Sequence, residues 1–318
     1  MKKYFFLLLV LVFGQAAFGQ QRLQLSQYML NYYLINPAAT GIYERADVKL
    51  GYRKQWVNIP GSPSSTYFTA HGKLGKAPLE GINLPNSGSE YSGHGVGVNF
   101  SMDKVGPTRI NSFFLSYAYH LSISEDIDLS LGVSPGVIQY RLDRDYINLP
   151  DKDLDNTINN RLNTVKPDIN LGAWMFSDDF FVGLSTFQML RNKFNYSDGR
   201  WDDVERMRIH YNLTAGYKFE KDEIDIIPSF LAKYVQGAPA ALDLNCRVTY
   251  QDMYWGGLSY RINDAVVAML GLHLNNTFSF SYSYDITTSH LSKFSSGSHE
   301  IMLGCRLPFK AKGRDIFF

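Results

Sequence analysis

The residues best equipped for chemistry stand in "DKDLDNTINN", where Asp151, Asp153 and Asp155 alternate like the first ligands of a calcium loop. An EF-hand needs a glycine at the sixth position and a bidentate glutamate at the twelfth. Here those positions are Asn156 and Leu162, so the stretch reads as a solvated loop. The 7 histidines are scattered, with no H-E-x-x-H and no pair at metal-ligand spacing within a strand. A serine hydrolase site would need a nucleophile on a sharp turn, and no G-x-S-x-G is present. The glycines of "GHGVGVNF" sit in a strand-like stretch where a dinucleotide site needs a helix, so they serve strand bending or close packing. No catalytic residue, cofactor site or metal site is assigned, and no enzymatic activity is expected. His120 and His210 read as lumen-facing or rim polar groups once the elements that carry them are laid out.

Those elements are strands. In "TFSFSYSYD" Phe278, Phe280, Tyr282 and Tyr284 alternate with Ser279, Ser281 and Ser283. In "LDLNCRVTY" Leu242, Leu244, Cys246, Val248 and Tyr250 alternate with Asp243, Asn245, Arg247 and Thr249. The same period predicts fourteen strands, at about 46–55, 64–74, 93–103, 108–121, 127–138, 168–177, 180–187, 207–219, 224–234, 239–250, 253–262, 265–274, 277–285 and 298–309. Connections alternate too: "SED", "SDD", "EKDE" and "QD" are tight, whereas 139–167, 188–206 and 286–297 are long. Short turns at one end and long loops at the other, with apolar and polar faces alternating, are the marks of an outer-membrane barrel. A soluble all-β fold shares the alternation but has no use for aromatic residues gathered at strand ends. The expected fold is therefore all-β: a transmembrane outer-membrane β-barrel of about 14 antiparallel strands. The connection 75–92 is the exception, being long on the short-turn side.

Lys2 and Lys3 followed by an apolar run from Tyr4 to Phe13 and small residues read as a signal peptide, 1–19, cleaved before Gln20. The run is too short to cross a bilayer as a helix. Two of the 31 basic residues leave with that leader, against 30 acidic ones, so there is no basic excess for nucleic acid. Cys246 and Cys305, on strands that are not neighbours, are expected as free, lipid-facing thiols. The remaining divisions are an N-terminal segment 20–45, the barrel 46–309 and a C-terminal periplasmic tail 310–318, both chain ends being expected in the periplasm. A barrel of this size is wider than the eight strands whose side chains fill the interior. Its lumen is a channel or is plugged, and "QLSQYMLNYYLINPAATG" is suited to form a short helix and turn, periplasmic or packed in the barrel mouth.

"SQYMLNYYLINPAATG", followed by "GYRKQW" and "GSPSSTYFTAHGKL", resembles the start of the PorP/SprF family of Bacteroidetes type IX secretion proteins. "FFLSYAYHL", "PDINLGAWMFSDDFFVGLSTFQML" and "HEIMLGCRL" are similar to later blocks, so the resemblance spans nearly the whole mature chain. The family-like positions are Tyr28, Asn31, Asn36, Pro37, Gly41, Arg53 and Trp56. The resemblance implies an integral outer-membrane protein of the type IX secretion and gliding apparatus, without catalysis or cofactor. It would assist export or surface anchoring of an adhesin-like partner with a C-terminal sorting domain. Implied partners are that secreted protein, the periplasmic and outer-membrane machinery, and outer-membrane lipid, with no nucleic acid. A passive porin or uptake channel, with Asp225, Lys233, Asp243 and Arg247 lining an open lumen, is the other reading. The long 75–92 connection and the tail "KAKGRDIFF" depart from the family pattern.

Overall fold

A chain crossing lipid as strands must pair every backbone N–H and C=O with a neighbour, which only a closed sheet achieves. The computed structural model, which describes residues 23–43, 45–74, 93–143, 163–195, 204–275 and 277–307, is such a sheet. Its strands are β1 (Ala46–Lys54), β2 (Ser64–Leu74), β3 (Gly93–Val105), β4 (Thr108–Ser122), β5 (Asp128–Leu142), β6 (Asn163–Phe176) and β7 (Phe180–Phe187). A small hairpin, β8 (Lys193–Asn195) with β9 (Val204–Arg206), stands apart. The wall continues with β10 (His210–Tyr217), β11 (Phe219–Lys221), β12 (Ile224–Val235), β13 (Ala241–Tyr250), β14 (Tyr254–Arg261), β15 (Ala265–His273), β16 (Phe278–Thr287) and β17 (Ser298–Leu307). Each strand pairs antiparallel with the next, and β1 closes the cylinder on β17, with Ala46 opposite Leu307 and Arg53 opposite Glu300. β10 and β11 both pair with β12 and are one strand broken at Lys218, whose N–H turns to Asp179 O, so the barrel has fourteen strands.

The alternation sorts side chains as expected. Leu115, Leu184, Leu258 and Leu270 point outward and are each more than half exposed. Asp47, Lys49, Arg53, Asp243, Asp285 and Glu300 point inward and are buried. Apolar outside and charged inside is the reverse of a water-soluble domain, and it follows from having lipid as the outer solvent. Cys246 is exposed on the outer face and Cys305 half-buried on it, and both are free.

Several boundaries shift. β6 begins at Asn163 rather than 168, while β3 and β5 run on to Val105 and Leu142. Beyond the bilayer a hairpin needs no apolar outer face, so polar residues such as Arg141 and Asn163 pair without the alternation that marks the rest. The expected strand 207–219 breaks at Lys218, and the expected loop 188–206 contains the β8–β9 hairpin. The aspartates of the calcium-like stretch, the 75–92 connection, the signal peptide, and Phe309 with the tail lie outside the described residues.

Inside the cylinder, residues 23–43 form three single turns of 3-10 helix, Tyr28–Leu30, Tyr32–Leu34 and Pro37–Ala39. Nearly every side chain of this segment is buried: Tyr28, Tyr32, Ala38 and Ala39 are at most 2% exposed. A fourteen-stranded wall cannot meet across its own axis, so the chain supplies its core from a segment threaded through the lumen.

Candidate functional site

The lumen segment is held at both ends and in the middle by different chemistry. At the long-loop end Gln24 Nε2 donates to Asp264 Oδ2 at 3.0 Å, in the turn between β14 and β15. Ser26 is the centre of a buried charge network. Its N–H donates to Glu300 Oε2 at 2.7 Å and its hydroxyl to Asp285, also at 2.7 Å. Arg53 reaches across from β1, with Nη2 2.7 Å from Asp285 Oδ2, Nη1 3.3 Å from Glu300 Oε2 and Nη1 2.6 Å from Ser26 Oγ. Arg261 adds a 3.4 Å contact to Asp285 and a bond to Leu25 O, while Tyr67 donates its hydroxyl to Glu300 at 3.0 Å. Buried charges survive only when paired and hydrogen-bonded, and here the N-terminal segment completes the pairing.

In the middle the contacts are aromatic and amide. Asn245 Nδ2 donates to Tyr28 Oη at 2.5 Å, Asn31 Nδ2 to Thr69 Oγ1 at 2.9 Å, and Tyr33 Oη to Ser116 Oγ at 2.8 Å. The Tyr32 ring tilts against Trp174 and Phe181, which stack on each other at 5.2 Å. Asn36 caps the third turn by accepting from Ala38 N at 2.9 Å, and its amide donates to Ala173 O and Leu184 O on adjacent strands. Pro37 follows at the first helical position, where a missing N–H costs nothing. A methyl at Gly172 would overlap Asn36 Oδ1, so the bare backbone there is what admits the asparagine.

Toward the short-turn end Thr40 O lies 2.9 Å from His120 Nε2, and Gly41 N donates to His71 Nδ1 at 3.0 Å. Gly41 has φ of 72°, and a Cβ there would come 2.7 Å from Gly95 Cα, so glycine answers both a conformational and a spatial demand. The chain then passes Tyr43, packed near His71, Lys49 and Arg306, and enters β1.

Six of the seven family-like positions, Tyr28, Asn31, Asn36, Pro37, Gly41 and Arg53, thus meet in one assembly of lumen segment and wall. Trp56 does not: it lies in the β1–β2 loop at the long-loop end, with φ of 45° and its N–H donating to Ser298 Oγ. Sequence reading missed Ser26, Asp285, Arg261 and Glu300 as one network, although all but Ser26 stand on polar strand faces. His120 faces the lumen, as does His210 near its rim. Of the proposed channel lining, Asp243 is tied to Lys233 at 2.9 Å and to Arg261 at 3.4 Å. Above the segment a cavity of about 420 Å³ opens toward the long-loop end, floored by Leu25, Tyr28, Leu34 and Ile35.

The direction of threading corrects one expectation. The segment starts at the long-loop end and descends to the short-turn end, so its beginning does not lie with the periplasmic turns as expected. The charge network near Arg53 decides this, because the matching carboxylates sit at the long-loop ends of β16 and β17.

Comparison with known proteins gives the family. A sequence model described as "Type IX secretion system membrane protein PorP/SprF" matches residues 17–305. The chain belongs to the PorP/SprF family. It is an integral outer-membrane protein and a membrane component of type IX secretion, not an enzyme. No curated protein sequence matches it. Among solved structures, a Pseudomonas aeruginosa FadL homologue is similar at 11% identity, with a TM-score of 0.50, covering 86% of this chain and 93% of that one. The Ralstonia pickettii toluene transporter TbuX (9% identity, TM-score 0.48) covers 89% of this chain and 93% of its own. Acinetobacter baumannii Omp33 (8%, TM-score 0.46) covers 85% of this chain and 100% of its own. At 11% identity the likeness to the FadL homologue is one of fold alone.

With the long loops outside, the start of the PorP/SprF lumen segment faces the medium. In a background lacking Cys246 and Cys305, Leu23→Cys is expected to react with a membrane-impermeant maleimide on intact cells, whereas Asp222→Cys in a short turn reacts only after permeabilisation. Labelling of both only after permeabilisation would reverse the assigned direction.

Proposed function

We propose that this PorP/SprF barrel assists the export or surface anchoring of a partner protein carrying a C-terminal sorting domain, within the type IX and gliding machinery. The observation that supports this reading is the filled lumen: residues 25–43 occupy the interior and are bonded to most of the wall. A barrel stoppered by its own chain offers a partner its surfaces rather than a passage. The outer cavity and the long-loop end at which it opens form the recognition end, since loops carry function where a rigid scaffold presents them. The short-turn end is the side facing the periplasmic components. A passive porin or uptake channel would need Asp225, Lys233, Asp243 and Arg247 around open water, and the filled interior does not favour it.

The test is removal of the gene, with the surface and culture-medium proteomes of mutant and parent compared by mass spectrometry. Loss or release of one or a few proteins with C-terminal sorting domains is the expected result. Unchanged profiles would overturn the anchoring role and bring the channel reading forward.

A further inference from the structure

The short-turn mouth holds a cation that the assembly described above does not use. Arg247 points into the lumen from β13 and is 8% exposed, and among the described residues its Nε has no hydrogen-bond partner and its guanidinium makes no ion pair within 4.0 Å. Lys49 and Arg306, which line the same space, are both turned to Asp47, at 2.7 and 4.0 Å. His273 lines it as well, and the buried Tyr43 hydroxyl nearby also has no partner among the described residues. Asp225 and Asp252 stand on the lining, outside ion-pair reach of Arg247. An unpaired buried guanidinium is costly, and its planar fork matches a carboxylate or phosphate with two parallel hydrogen bonds.

We propose that Arg247, with Lys49, Arg306 and His273 around it, forms a binding site for one small oxyanion at the periplasmic mouth of the barrel. The enclosed volume of about 40 Å³ sets the size. A single water needs about 10–15 Å³ by this measure, so the space suits one carboxylate or phosphate group and excludes a folded peptide. The site lies under the lumen segment, against Trp255, Ser279, Ser281 and Met302, so an occupant enters from the short-turn side. This inference is independent of the secretion reading, because it concerns the opposite end of the barrel from the outer cavity.

Isothermal titration of the purified full-length protein in non-ionic detergent, at constant ionic strength, tests it with inorganic phosphate and, separately, acetate. Saturable binding of one anion per barrel is expected. Arg247→Gln should weaken it at least about tenfold, with Arg247→Lys between the two because charge remains and the fork is lost. The stronger of the two anions tells which chemistry the site takes. Absence of saturable binding of either anion to the unaltered protein overturns the proposal. Equal affinity in a heat-modifiable, folded Arg247→Gln barrel overturns it too.

Discussion

A barrel lacking residues 23–40 is expected to conduct ions across a planar bilayer, where the intact protein should pass little current. The interior is wide enough to require filling, and the wall facing it is lined with Asp, Lys, Arg, Ser and Asn that would hold water once the segment is gone. The segment contributes no strand to the closed sheet, so β1 still pairs with β17 and β10 with β12 after the deletion. Expected conductance rises at least about tenfold over the intact protein, in line with the difference between a filled and a water-filled lumen. Heat-modifiable migration on a gel confirms that the deleted form is a folded barrel. If intact and deleted proteins conduct alike, the stopper does not close the lumen, and the porin reading gains.

Arg53→Met is expected to be the most damaging single substitution in the lumen. Its guanidinium side chain is 2% exposed and faces two carboxylates that are themselves 2% and 0% exposed. Removing one partner of a buried ion pair leaves uncompensated charge, a loss of about 3–5 kcal/mol. The midpoint of urea unfolding, followed by heat modifiability, reads it. Adding Glu300→Gln to Arg53→Met should cost less than the sum of the two single effects, because the second change removes the charge that the first stranded. By contrast Lys218→Met breaks a pair whose glutamate is 66% exposed, and its effect should stay below about 1 kcal/mol. Strict additivity of Arg53→Met and Glu300→Gln would mean that the two residues are not energetically joined.

The expectation about chain direction illustrates why some features escape a linear reading. The lumen segment has no period: three isolated 3-10 turns, each of three residues, bury residues in every direction. Its partners lie far along the chain, with Ser26 bonded to Glu300 and Asp285, and Asn36 to the backbone of β6 and β7. Aromatic density from Tyr28 to Leu34 signals that the segment packs, but no local property says which end of the barrel it starts from. Arg53 likewise reads as one more charge in a strand until closure of β1 on β17 brings Glu300 opposite it.

The strand count, the outward leucines, the inward charges and the long-loop asymmetry were determined by the sequence alone, because a strand in lipid must alternate with period two and turns must be short on one side. The motif from Tyr28 to Gly41 likewise carried the family resemblance. Tertiary structure alone decided that the lumen is filled, that the segment descends from the long-loop end, and that Ser26, Arg53, Arg261, Asp285 and Glu300 form one network. It also decided that Arg247 makes no ion pair with a described residue. Each of these depends on which side chains meet across the barrel axis, and that follows from closure and strand register, which no local stretch of the chain encodes.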